Sequence, residues 1–273
     1  MPKSRINGID LAYETRGRGF PLVMAHGFGA SRRAWEPQFD AFSKKYRFIT
    51  YDSRGHGETE SPLDASQYSQ EIFAEDLAGL LGYLKINQAF VGGFSMGGGT
   101  ALHCVFNHPE MVKAAIICAT GSGSNDIEVR NKRAQENITI IKEKGIRTFF
   151  DPQLNTPEIL DLQKRNPGLY EKIKAMRLGS PSIGLINTLQ SVMMTRSSIF
   201  TLKDKLEKVN VPVLIIVGAQ DEECVEPSKF MHEHIPNSEL VIIENSTHWV
   251  GLWQTKQFNE AVLNFLEKVE VAV

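Results

Sequence analysis

Three residues, distant in the chain, are of the types that do nucleophilic chemistry together: Ser95, Asp221 and His248. A serine hydroxyl attacks a carbonyl only when an imidazole takes its proton, and the imidazole is held in the right tautomer by a carboxylate. Ser95 stands in VGGFSMGGG (91–99), where five glycines crowd one serine. The preceding AFVGG reads as a strand and the following GGGTALHCVFNH as a helix. A serine on so abrupt a turn has a strained backbone, and glycines at 93 and 97 remove side chains that would clash. Asp221 follows the strand VPVLIIVG in the loop GAQDEE, and His248 follows the strand SELVIIEN in the loop NSTHWV. All three therefore fall at carboxyl ends of strands, in the order Ser, Asp, His that a nucleophile on such a turn requires.

Acyl transfer also needs donors for a developing oxyanion. HGFG (26–29) follows the strand FPLVMAH and leaves backbone N–H groups open toward the same sheet edge. One donor is assigned to the Phe28 N–H and the other to the Met96 N–H, the residue after the nucleophile. Of the seven histidines, His103 and His108 belong to the helix after Ser95, and His232 and His234 to a helix before Pro236. The H-E-H spacing does not put two ligands on one helix face, so no metal site is expected. His56 lies in YDSRGHGETE, where Asp52 and Arg54 are expected to tie down a turn. Asp52 is a rival acid, but it precedes Ser95.

The elements that must position these residues are legible from periodicity. RINGIDLAYETRG reads as a hairpin, with Asn7-Gly8 supplying a type I′ turn. Short apolar runs at 20–26, 46–50, 89–93, 114–120, 211–218 and 238–245 read as strands, several of them continuously apolar and β-branched, as expected for burial on both faces. Between them, residues 71–84 and 258–269 carry one apolar face at helical spacing. Strands alternating with helices argue for an α/β architecture, a mostly parallel sheet covered on both sides. From 121 to 206 no strand pattern occurs. That stretch reads as several helices punctuated by Pro152, Pro157, Pro167 and Pro181. The expected organisation is core residues 1–120, a helical insertion over 121–206, and core again over 207–273.

Bulk properties exclude several classes. The chain has 273 residues, a net charge of −2 and no long basic or acidic block, so neither nucleic acid nor a membrane surface is an expected partner. No apolar run approaches a membrane span, and the first residues lack a signal peptide's apolar region. Cys104, Cys118 and Cys224 are odd in number and widely spaced, which fits free thiols in a reducing cytoplasm.

HGFG, YDSRGHGETE, GFSMGG, GAQDE and STHW, in this order, resemble the α/β-hydrolase superfamily over essentially the full length. The resemblance implies an eight-stranded-type sheet with helices on both faces and makes the insertion over 121–206 a helical cap above the site. Within the superfamily, HGFGASRRAWEPQ and YDSRGHGETESP are similar to 3-oxoadipate enol-lactonases, carboxylesterases and cofactor-free perhydrolases. THWVGLWQTKQFNEAVLNFL is similar to meta-cleavage product hydrolases, which break carbon–carbon bonds, although Phe94 stands where those enzymes tend to have Asn.

The expected activity is hydrolysis of esters or lactones with small to medium apolar acyl groups, through an acyl-enzyme and without metal or organic cofactor. The alternatives are C–C hydrolysis of dienoates and a ligand-binding, receptor-type role. Phe28, Met96 and Trp249 are expected to wall the substrate. Phe149, Phe150, Leu185, Leu189, Met193 and Met194 are candidates from the insertion whose spacing fits core as well. Arg32, Arg33 and Arg177 are the arginines considered for a substrate carboxylate. The expected state is monomer or homodimer.

Overall fold

The computed structural model describes residues 2–271. The chain opens with a hairpin of β1 (Lys3–Ile6) and β2 (Ile9–Arg16), turned by Asn7 and Gly8 at φ 46° and 78°, the positive angles of a type I′ turn. It continues through β3 (Pro21–Ala25), α1 (Glu36–Phe42), β4 (Arg47–Tyr51), α2 (Gln70–Tyr83), β5 (Ala89–Phe94), α3 (Met96–Asn107) and β6 (Val112–Cys118). Then come α4 (Ile127–Leu154), α5 (Pro157–Arg165), α6 (Pro167–Leu178), α7 (Ser182–Thr188) and α8 (Lys203–Leu206). The chain closes with β7 (Val213–Gly218), α9 (Glu222–His234), β8 (Ser238–Ile243), α10 (Val250–Trp253) and α11 (Thr255–Val271).

All eight strands form one sheet, ordered β1-β2-β4-β3-β5-β6-β7-β8. β2 runs antiparallel to β1 and β4, and every other pairing is parallel. The continuous apolar runs follow from burial on both faces. Val23, Ala25, Val91, Ala115, Ile117 and Ile215 pack on α2, α3 and α9. Their sequence neighbours Leu22, Met24, Phe90, Ala114, Ile116 and Leu214 pack on α1 and α11 across the sheet. Strand order reverses at β3, with β4 on one side and β5 on the other. The carboxyl ends at such a reversal leave a crevice where ligands bind in α/β sheets. The loops carrying Phe28 and Ser95 leave the sheet there.

The helices between β6 and β7 build a third apolar cluster. Ala134, Ile138 and Ile141 face inward at helical spacing from α4 and meet Phe149, Phe150, Ile173, Leu185 and Val192. Tyr68, Phe73 and Met96 complete the cluster, so this segment is seated on the part of the sheet edge that carries Met96. Pro157 and Pro167 begin α5 and α6, and Pro181 caps α7, as the missing N–H of proline favours. Pro152 departs from expectation because it lies inside α4. The break comes instead at Gly145, whose φ of 81° no other residue adopts cheaply. No helix among the described residues is long and apolar enough to cross a membrane.

Candidate active site

Ser95 sits between β5 and α3 with φ 55° and ψ −113°, a strained conformation for a residue with a side chain. Three bonds hold it there: its N–H donates to the Cys118 carbonyl (2.8 Å), and its carbonyl accepts from the Gly99 N–H (3.1 Å) and the Thr120 hydroxyl (3.2 Å). A Cβ at Gly93 would meet the Gly97 backbone, and one at Gly97 would meet the carbonyls of Ala25 and His26. The glycines thus let β3, β5 and α3 touch backbone to backbone. Ser95 occupies the N-cap position of α3, a place serine favours, yet its side chain makes no capping bond. The hydroxyl lies 3.0 Å from His248 Nε2.

Asp221 repeats the pattern. It is the N-cap residue of α9 and does not cap that helix with its side chain. Its carboxylate instead accepts from His248 Nδ1 at 2.7 Å. Asp221 is nearly buried, while a third of the His248 side chain remains exposed. With Nδ1 donating to the carboxylate, Nε2 presents its lone pair to the Ser95 hydroxyl. Such a chain can move a proton off the serine and hold the resulting imidazolium. Three loops at three strand ends therefore bring together residues 95, 221 and 248, as the sequence order requires.

Phe28 lies in the loop after β3, and its ring packs edge-on against His56 (5.8 Å) and Phe149 (6.3 Å). Met96 is the first residue of α3, where an amide has no acceptor within the helix. Met96 is fully buried, its side chain packed in the apolar cluster under the helices between β6 and β7. His26 anchors the Phe28 loop from below. Its Nδ1 pairs with the Gly27 carbonyl (2.8 Å) and its Nε2 accepts from the Ser53 N–H (2.9 Å). Burial lowers its pKa to about 4, and that of the buried His56 to about 3, so both rings are neutral near pH 7. Asp52 is committed elsewhere: it accepts from the Arg32 N–H (2.7 Å), the Arg32 guanidinium and the Glu58 N–H (2.8 Å). Burial raises its pKa, against the opposing charge of Arg32.

That commitment corrects one expectation. Arg32 is 1% exposed and paired with both Asp52 and Glu58, which takes it out of the ligand's reach. Arg33 is exposed and lies 3.8 Å from Glu58. Arg177 is buried, stacked over the rings of Trp249 (4.7 Å) and Phe150 (5.0 Å), and bonded to Gln153 (2.6 Å). Trp249 packs in turn on Phe94 (5.7 Å), whose ring also meets His248 (4.9 Å). Phe149, Phe150, Leu185, Leu189 and Met193 are all buried in the cluster over Met96, and Met194 packs against it. A cavity of about 250 Å³ opens beside Leu189 and Met193, with Arg130 and Arg196 in its wall.

Two neighbours escape sequence reasoning. Thr120 holds the Ser95 carbonyl, and nothing in its surroundings in the chain announces this. Cys224 brings Sγ to 3.8 Å from His248 Nδ1. It stands three residues after Asp221, one helical turn on, and that spacing was the available signal. Among the described residues, Asp221, Cys224 and His248 are the one group whose side chains could converge on a metal ion, their ligand atoms lying within 4.8 Å of one another.

Comparison with known proteins agrees with this architecture. The chain is 30% identical over 251 residues to a putative 2-succinyl-6-hydroxy-2,4-cyclohexadiene-1-carboxylate synthase of Bacillus subtilis, covering 91% of this chain and 90% of that one. It is 28% identical over 260 residues to 3-oxoadipate enol-lactonase 2 of Acinetobacter baylyi, covering 93% and 92%. A thermophilic esterase from Thermogutta terrifontis superposes with a TM-score of 0.87 at 26% identity, over 98% of this chain and 99% of that one. Residues 21–255 match the family model for the alpha/beta hydrolase fold, and the chain belongs to that family.

Proposed function

We propose that the chain is a serine hydrolase that cleaves carboxylic esters or lactones with small to medium apolar acyl groups. The reading rests on one observation above the rest, the unbroken chain from Ser95 Oγ through His248 to Asp221, at 3.0 and 2.7 Å. His248 takes the Ser95 proton as Oγ attacks the carbonyl carbon, and Asp221 steadies the imidazolium. The Phe28 and Met96 N–H groups bind the oxyanion, each such donor being worth about 10²–10³ in rate. The imidazolium then gives its proton to the leaving oxygen. Water hydrolyses the acyl-enzyme by the same steps, with His248 again the base.

Phe28 and Trp249 wall the acyl or leaving group in this reading, and residues 121–206 serve as a cap that excludes water and sets chain length. Similarity to an enol-lactonase and an esterase supports the reaction class. The three free thiols favour a reducing compartment, the cytoplasm. The test is turnover of p-nitrophenyl esters, acetate through octanoate, by wild type and Ser95→Ala. The reading expects turnover that vanishes in the variant, with an optimum among the shorter chains. Turnover that survives Ser95→Ala, or its absence from the wild type on every ester, overturns it.

A further inference from the structure

We infer that Asp221, Cys224 and His248 form an inhibitory binding site for a thiophilic divalent cation such as Zn²⁺ or Cd²⁺. The inference builds on the proposed role of His248, although binding at the site can be measured without it. One ligand atom from each residue, a carboxylate oxygen, Sγ and a ring nitrogen, lies within 4.8 Å of the others. The Sγ–Nδ1 distance is 3.8 Å and the Nδ1–Oδ2 distance 2.7 Å. Tetrahedral zinc, with bonds of about 2.0 Å to N and O and about 2.3 Å to S, sets its ligands about 3.3–3.5 Å apart. The two distances to Nδ1 differ from these by about 0.3 and 0.6 Å, and the 4.8 Å bound keeps the remaining adjustment within about 1.3 Å, which side-chain rotation supplies. One thiolate and one carboxylate also neutralise a dication, so the occupied site buries no net charge.

The surroundings favour cation entry. A groove lined by Ser122, Gln220, Asp221, Glu222, Glu223, Thr247 and His248 leads to the site, and its carboxylates raise the local cation concentration. Glu223 is paired with Arg133 (2.8 Å), and the positive charge of Arg196 acts on Cys224, which opposes the cation but favours the thiolate that would bind it. An ordinary cysteine thiol, with a pKa of about 8.5, is mostly protonated near pH 7, and a metal must displace that proton.

The proton balance explains inhibition. Metal binding replaces the proton on Cys224 Sγ, which is released to solvent. It also replaces the proton on His248 Nδ1, and the neutral ring regains one at Nε2. One proton is released in all. The ring then presents an N–H to Ser95 where a lone pair was needed, so His248 can no longer act as base. Occupied sites are inactive, whatever substrate is used.

The experiment titrates Zn²⁺ and Cd²⁺ into wild type, Cys224→Ser and Cys224→Ala. Each variant's ester turnover is expressed relative to its own metal-free rate. Cadmium–thiolate charge-transfer absorbance is followed in parallel, and again in Ser95→Ala. The expected results are inhibition reversed by chelator and an inhibition midpoint raised about tenfold or more without Cys224. A cadmium–thiolate band should appear in wild type and Ser95→Ala and be absent from both Cys224 variants. Calorimetry of Zn²⁺ binding in two buffers should return about one proton released. Equal metal sensitivity of wild type and Cys224→Ser overturns the inference, as does a cadmium–thiolate band that persists in Cys224→Ala. A band present in Ser95→Ala supports the site even if the ester activity belongs to another residue.

Discussion

Gly97→Ala should damage catalysis far more than its size suggests. The residue sits where α3 touches β3 backbone to backbone. A Cβ there would stand 2.7 Å from the His26 carbonyl oxygen and closer still to that of Ala25, against about 3.4 Å for ordinary contact. Neither neighbour is a side chain that can swing away, so the backbones must part by roughly 1 Å. His26 begins the loop that carries the Phe28 N–H, and Gly97 follows Met96 directly. One methyl group thus displaces both proposed oxyanion donors at once. Overpacking of this kind costs about 1–3 kcal/mol of stability, or about 2–10 °C in Tm for a chain of this size. A misplacement of about 1 Å at the reacting centre costs about 10² in rate, and the loss should fall on kcat, because the oxyanion contacts tighten in the transition state. The assay is p-nitrophenyl butyrate hydrolysis beside a thermal melt. Gly82→Ala is the control: it lies on an exposed face of α2, and a Cβ there meets nothing within 4 Å. It should leave kcat untouched and add up to about 1 kcal/mol of stability. A Gly97→Ala protein with kcat within threefold of wild type would refute the argument that backbone contact sets the donors.

Two further outcomes concern stability. Asp76 accepts two bonds from Arg54, at 2.8 and 2.9 Å, in a pair 1% and 4% exposed. Asp76→Ala leaves that guanidinium buried without its counter-charge, with only the Asn7 carbonyl (3.1 Å) still accepting from it, and should cost about 3–5 kcal/mol. That amounts to a fall of about 10 °C in Tm, and Asp76→Leu with Arg54→Met should recover part of it. Acid should destabilise the fold through His26 and His56, whose folded pKa values of about 4 and about 3 lie below the ordinary 6.5. Below pH 6.5 the unfolded chain binds protons that the folded chain refuses, so stability falls with pH until the folded pKa is reached. His26 alone accounts for about 2 kcal/mol between pH 6.5 and 5. Burial raises the pKa of Asp52 and Asp76, which acts in the opposite sense at lower pH. Urea unfolding across pH 5–6.5 reads the slope, and a midpoint that does not move over that range would contradict the assignment.

What the sequence made legible and what it hid divide along a physical line. The sheet was readable because strands buried on both faces must be apolar at every position, as Leu22 to Ala25 and Leu214 to Val217 are. The turn at Ser95 was readable because backbone contact tolerates only glycine. Even the partners could be placed, since loops after parallel strands all emerge at one edge. What stayed hidden were choices between two satisfied states. Chain order made Asp221 legible as the partner of His248, but nothing local says that it leaves α9 without a side-chain cap to make that bond. An arginine beside a candidate site looks available, and only the fold shows Arg32 given to Asp52. Pro152 looks like a breaker, yet Phe149 and Phe150 beside it are buried in the cluster over Met96, and their packing holds the turn helical.

The same line separates reaction from substrate. At the sheet edge the candidate site is held by backbone: Ser95 by the Cys118 carbonyl and the Gly99 amide, and His26 beneath the Phe28 loop by the Ser53 amide. Backbone contacts demand particular residue types, chiefly glycine, and leave an unmistakable pattern in the chain. The helices over the site hold themselves together by side-chain packing, where Leu, Ile, Met and Phe substitute for one another at modest cost. Such a surface can change its pocket without changing its pattern. The relatives illustrate the consequence: a named synthase, an enol-lactonase and an esterase share this fold with the chain at 26–30% identity. Chemistry written in backbone geometry is therefore the part of function a single sequence carries. The apolar side chains of those helices and their buried Arg130 and Arg177 become visible as neighbours of the edge only once the helices are seated on it.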